Sequence, residues 1–138
     1  MKPLYTASAV ATGDGRNGHV RSVDGLVDLD VRTPPEMGGP GGAPNPELLF
    51  AAGYAACFHS ALRQVARASK ADVTDSEVVA DVSIGQLDAG GFGLAVRLEV
   101  NLPNVDPATA QALMEQAHQV CPYSNATRGN VEVALSLA

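Results

Sequence analysis

The sequence has no tryptophan, only three phenylalanines and three tyrosines, and just two cysteines among 138 residues. Its hydrophobic fraction of 46% must therefore come mainly from Ala, Val and Leu, small side chains that favour close helix packing. Basic residues are also scarce: nine Lys and Arg stand against fifteen Asp and Glu, a net charge of −6. Nucleic acid and anionic membranes require a basic face, so this balance argues against both and favours a small or neutral substrate. No stretch is long and apolar enough to span a bilayer, and MKPLYTASAV carries a lysine without the apolar run of a secretory leader. A cytoplasmic protein is expected. There Asn125-Ala126-Thr127 would never meet the glycosylation machinery, and two cysteines are poor material for a permanent staple. A redox role and plain burial remain open for them. Three histidines and two cysteines without C-x-x-C or H-x-x-x-H spacing give no metal signature, so no metal is expected.

With no internal repeat, heptad run or low-complexity tail, residues 1–138 read as one domain organised by periodicity and turn signals. Strands are expected at 4–11, at 19–23 after a Gly-rich turn, and at 26–32, where Val27, Leu29 and Val31 alternate with Asp28, Asp30 and Arg32. The Pro- and Gly-rich stretch 33–44 reads as a loop. A long helix should then begin with Asn45 as N-cap, Pro46 in the first turn and Glu47 facing the positive end of the helix dipole. From Leu48 to about Ala61 nearly every residue is apolar or small, which predicts a helix buried on all sides. A chain of this length has little with which to surround such a helix, so a homodimer is expected. Two antiparallel strands follow at 77–84 and 92–102, joined through Asp88-Ala89-Gly90-Gly91. A second helix runs from Asp106-Pro107 to Cys121-Pro122, and a last strand covers 131–137. Strands and helices without βαβ alternation make the class α+β.

Gly13-Asp14-Gly15-Arg16-Asn17-Gly18 matches G-x-G-x-x-G, but His19 to Val23 reads as a strand where a dinucleotide fingerprint needs a helix. The glycines read instead as a turn presenting Arg16, for which a solvated loop tip is the ordinary role. Cys57 lies in the most apolar stretch, where a free cysteine is commonly an inert core thiol. Cys121 sits at a helix end beside Pro122, closer to polar groups. His59, two positions from Cys57 on one helix, points to another side and cannot act as its base by adjacency.

Two blocks, GGPGGAPNPELLFAAGYAACF around Cys57 and VCPYSNATRGNVEV around Cys121, together with Arg16 ahead of them, resemble the organic hydroperoxide resistance proteins of the OsmC/Ohr family along nearly the whole chain. The resemblance implies an α+β fold with antiparallel sheets, a long buried central helix and an intertwined homodimer with two sites at its interface. It further implies a thiol peroxidase that reduces organic hydroperoxides in preference to hydrogen peroxide. Cys57 would attack the peroxide, Cys121 would close a disulfide with it, and Arg16 and Glu47 would serve the site. No bound cofactor is implied; a lipoyl dithiol such as dihydrolipoamide, free or on a lipoylated protein, would reduce the disulfide.

The chemistry is consistent with that assignment. A thiol in apolar surroundings needs an adjacent cation to ionise, which Arg16 would supply with Glu47 holding its guanidinium; Arg128, near Cys121 in sequence, is the competing candidate. Ten residues along one helix separate Glu47 from Cys57 by about 15 Å, so the pair is expected to reach Cys57 across the dimer interface. Met37, Leu48, Leu49, Phe50 and Phe58 are read as an apolar entrance for the alkyl tail. An apolar-ligand carrier and a thiol redox sensor without turnover are the alternatives.

Overall fold

Asn45 starts the longest element: its side-chain Oδ1 accepts the Leu48 N–H at 2.8 Å, filling one of the orphan donors of a first turn that Pro46 fits without loss. The helix so begun, α1, runs Pro46–Ser69. The computed structural model describes residues 1–138 and divides into two compact units, Met1–Leu49 and Phe50–Ala138.

In the first unit, β1 (Ala9–Thr12), β2 (His19–Ser22) and β3 (Asp28–Asp30) form an antiparallel sheet in that order. All four residues of β1 are exposed, Val10 at 57%, and Val31 at 2% is the buried hydrophobic residue of the unit. The expected first strand at 4–11 begins only at Ala9. The β1–β2 connection is a 3-10 turn at Gly15–Asn17. Gly18 closes it so tightly that an added Cβ would lie 2.2 Å from the Thr12 carbonyl oxygen, which is why glycine stands there. The strand that follows confirms that the glycine motif is a turn and not a nucleotide fingerprint.

The second unit pairs β4 (Glu77–Gln86) with β5 (Phe92–Asn101) in an antiparallel hairpin. Alternation along β5 sends Val96, Leu98 and Val100 into the core, while Phe92 at the hairpin end stays exposed. Helix α2 (Pro107–Val120) is capped by Asp106, whose carboxylate accepts the Thr109 N–H, and it buries Ala110, Leu113, Met114 and Ala117 in one stripe. A short helix not anticipated from the sequence, α3 (Pro122–Thr127), comes next. Strand β6 (Glu132–Leu137) then joins β5 in parallel, so this sheet is mixed where wholly antiparallel sheets were expected. The reason is length: α2 and α3 supply the dozen or more residues with which the chain returns to run beside β5 in the same direction.

The core gathers Tyr54, Phe58, Ala61, Leu62 and Ala66 of α1 with the buried faces of β5 and α2. These α1 residues lie on one face; Leu48, Ala52 and Ala56 are exposed in the single chain, so the all-round burial expected of this helix would need a second copy to cover them. Leu62 is fully buried at the centre of this cluster. Leu62→Ala should therefore destabilise the protein by about 2–5 kcal/mol, the cost of a cavity in a packed core. Denaturant unfolding at fixed protein concentration should show a lower midpoint with an unchanged slope. No helix is long and apolar enough to cross a membrane.

Candidate dithiol site

In the second unit, α1 and the start of α3 bring the two cysteines together. Cys57 sits mid-helix on α1, partly exposed, and Cys121, with its side chain fully buried, ends α2 and caps α3 in an extended backbone conformation. Both are free thiols, their sulfurs 3.6 Å apart with Cys121 as donor. Burial pushes the Cys57 thiol above its ordinary value. The Tyr123 backbone N–H works against burial, while the neighbouring Cys121 sulfur adds to it. A thiol so placed needs positive charge nearby to become a nucleophile at neutral pH.

The polypeptide around this pair is tied down by residues the sequence did not single out. The Tyr54 hydroxyl, one helical turn before Cys57, lies 2.8 Å from Ser124 Oγ and 3.2 Å from Thr127 Oγ1, all three side chains buried. Ser124 Oγ is also 2.8 Å from His118 Nδ1. Burial and the nearby Arg128 charge hold His118 below its ordinary pKa. A neutral imidazole is a competent acceptor at Nδ1, giving a hydrogen-bond chain in which Tyr54 donates to Ser124 and Ser124 to His118. Tyr123 completes an aromatic cluster with Phe50 and Tyr54, with ring centroids 6.0 and 5.6 Å from its own. Its hydroxyl lies over Gly53, where an added Cβ would meet it at 2.9 Å, so any larger residue at that position would have to displace the Tyr123 ring.

Arg16 and Glu47 meet within the first unit. The 3-10 turn carrying Arg16 is fixed by the Thr33 N–H donating to Asn17 Oδ1 at 2.9 Å and by Arg32 Nη1 donating to the Gly18 carbonyl at 2.9 Å. Arg16 Nη1 donates to Glu47 Oε2 at 2.9 Å and Nη2 to Oε1 at 2.7 Å, a two-pronged pair at the first turn of α1. The Arg16 hydrogen bonds hold the Glu47 carboxyl below the usual carboxylate range against the opposing effect of burial. Glu47 is thus ionised at neutral pH, its side chain only 11% exposed against 40% for Arg16.

Other expectations fall differently. Arg128, the competing cation, donates to the His118 carbonyl at 2.6 Å and to Asn125 Oδ1 at 2.8 Å, which ties the end of α2 to α3. His59 is bound to Ser76 Oγ. Phe58, expected at an apolar entrance, is fully buried, with its ring 6.5 Å from that of His118; it is a core residue because it shares the face of Tyr54 and Leu62. Met37, Leu48 and Leu49 are exposed and Phe50 partly so. Tyr54 and Ser124 carry a signal in the sequence itself: Tyr54 precedes Cys57 by three residues and Ser124 follows Cys121 by three, one helical turn in each case.

These features describe an α+β protein carrying a preformed dithiol. Residues 39–136 match the family model of OsmC-like protein. The organic hydroperoxide resistance protein of Xanthomonas axonopodis pv. citri (strain 306) is 52% identical over 139 residues, covering 99% of this chain and 96% of its own length. The crystal structure of an organic hydroperoxide resistance protein from Legionella pneumophila is 52% identical with a TM-score of 0.94, covering 99% of both chains. That of the Elizabethkingia anophelis protein, with thiocyanate bound, is 55% identical with the same TM-score, covering 100% of this chain and 99% of its own. The chain belongs to the OsmC-like family and, within it, to the organic hydroperoxide resistance proteins.

Proposed function

We propose that this protein detoxifies organic hydroperoxides as a cysteine-based peroxidase. The carrying observation is the pair of free thiols 3.6 Å apart, one partly exposed and the other fully buried. The Cys57 thiolate attacks the outer peroxide oxygen, breaking the O–O bond; the alkoxide leaves, takes a proton and becomes the alcohol, and Cys57 becomes a sulfenic acid. Cys121 then attacks the Cys57 sulfur, forming the disulfide and releasing the oxygen as water. A dithiol reopens it, because its second thiol resolves the mixed disulfide intramolecularly where a monothiol needs a second collision. A lipoyl-type dithiol, whose alkyl chain suits the same apolar surroundings as the substrate, is the proposed reductant, and no bound cofactor is required.

Arg16 supplies the cation that Cys57 needs, and Glu47 holds its guanidinium fork so that it also meets the departing oxygen. The protein works as a homodimer. Supporting this are Leu4, Tyr5, Val10 and Leu26, large apolar residues left uncovered in the first unit, and the exposed Leu48, Ala52 and Ala56 along α1. A three-stranded sheet whose strand β1 is exposed along its whole length lacks the apolar cover that independent stability requires.

With cumene hydroperoxide as substrate, dihydrolipoamide should sustain many turnovers per chain and glutathione few, followed by peroxide consumption over time. No consumption by the reduced protein would favour an apolar-ligand carrier. One oxidation per chain without cycling would favour a redox sensor.

A further inference from the structure

Two contacts in the second unit lie one helical turn apart on the same pair of elements. Cys57 and Tyr54 are three residues apart on α1; Cys121 and Ser124 are three apart at the start of α3. The sulfurs meet at 3.6 Å and the hydroxyls of Tyr54 and Ser124 at 2.8 Å. The hydroxyl contact is fully buried, since Tyr54 and Ser124 both have no exposed surface, and it is braced from both sides by Thr127 and His118. Cys121 itself has an extended backbone between two helices, and no side-chain hydrogen bond caps α3 at that residue. What fixes the start of α3 against α1 is therefore the contact one turn further on.

We infer that Tyr54, acting through Ser124, is a positioning residue for disulfide closure: it holds Cys121 within reach of Cys57 and so sets how fast the sulfenic acid is resolved. The inference rests on the peroxidase reading above. Its consequence is a partition. The Cys57 sulfenic acid either loses its oxygen as water when Cys121 attacks, or reacts with a second hydroperoxide, gaining an oxygen to become sulfinic acid while that hydroperoxide becomes alcohol. Slower closure sends more protein down the second, irreversible branch. The Tyr54 hydroxyl hydrogen-bonds to Ser124 and Thr127 and to neither sulfur, so the first oxidation step should be independent of it.

The test is rapid-quench mass spectrometry of Tyr54→Phe and Ser124→Ala, each removing one hydroxyl, after mixing reduced protein with cumene hydroperoxide. The expected result is sulfenic acid formation within twofold of the parent rate, disulfide formation slower by tenfold or more, and a matching rise in the sulfinic fraction per turnover. Closure at the parent rate without extra sulfinic acid overturns the inference. So does an equal slowing of both steps together with a lowered Tm, the pattern of a merely structural hydroxyl. Equilibration with glutathione and its disulfide gives a second measurement that needs no peroxide. There the effective concentration of Cys121 toward Cys57 should fall at least tenfold in Tyr54→Phe, and an unchanged value overturns the inference. If hydroperoxide leaves the parent Cys57 unoxidised, the peroxidase reading fails alone and the glutathione equilibrium still decides the role of Tyr54.

Discussion

Cys57→Ser should lower hydroperoxide consumption by at least roughly a thousandfold, the scale expected when a nucleophile is deleted. The substitution changes little in shape, so the reduced protein should keep its secondary structure and thermal stability. What is lost is ionisation. Burial already pushes the Cys57 thiol above its ordinary value, and a serine hydroxyl at that position, many units less acidic to begin with, remains protonated throughout the accessible pH range. Cys121→Ser should behave differently in the same assay. Its first oxidation should run at the parent rate, after which Cys57 stops as sulfenic acid and overoxidises, because the buried partner sulfur at 3.6 Å is gone. Stopped-flow consumption of cumene hydroperoxide, followed by mass spectrometry of Cys57, separates the two variants. Equal first-turnover rates in parent and Cys57→Ser would remove Cys57 from the reaction altogether.

Much of this arrangement is legible in the residues, and the parts that are not have physical reasons. The start of α1 follows from local chemistry, with Asn45 capping and Pro46 and Glu47 in the first turn, and such signals do not depend on distant partners. Strand β5 is legible because its alternation is uninterrupted. The parallel pairing of β6 is not, since an alternating strand looks the same whichever way its neighbour runs. Helix α3 escapes because six residues are too few to show a period, and because Pro122 reads equally as the stop of α2 and the first position of a new helix. The burial of Phe58 is not legible for a related reason: where all sides of a helix are small and apolar, periodicity does not tell which face meets the core. The two cysteines stand out by rarity. The buried Tyr54–Ser124–His118 chain does not, because hydroxyls and imidazoles are common and only the fold shows which are shielded from water.

Arg16→Ala should reduce kcat/KM for organic hydroperoxide by about a hundredfold to a thousandfold, the usual effect of removing one charge stabiliser from a site. It should also move the pH–rate profile to higher pH. On the proposed role of Arg16, its loss leaves burial to act on Cys57 without that positive charge, so the thiol's pKa should rise, and below that pKa the rate should fall about tenfold for each unit of rise. Arg16→Lys should recover only part of the loss, since a point charge lacks the fork that fits Glu47 through two hydrogen bonds of 2.9 and 2.7 Å. Glu47 and Cys57 are ten residues apart on one continuous helix, about 15 Å along its axis, which favours delivery of the guanidinium by the second subunit. Mixing subunits decides this. When Cys57→Ser and Arg16→Ala chains are dissociated together and reassociated in equal amounts, half the dimers should be mixed. If Arg16 serves the partner's thiol, each mixed dimer holds one site with both Cys57 and Arg16 intact, and the mixture should regain about a quarter of parental activity. If Arg16 serves the thiol of its own chain, every site in the mixture lacks one group, and activity should stay at the level of the separate variants.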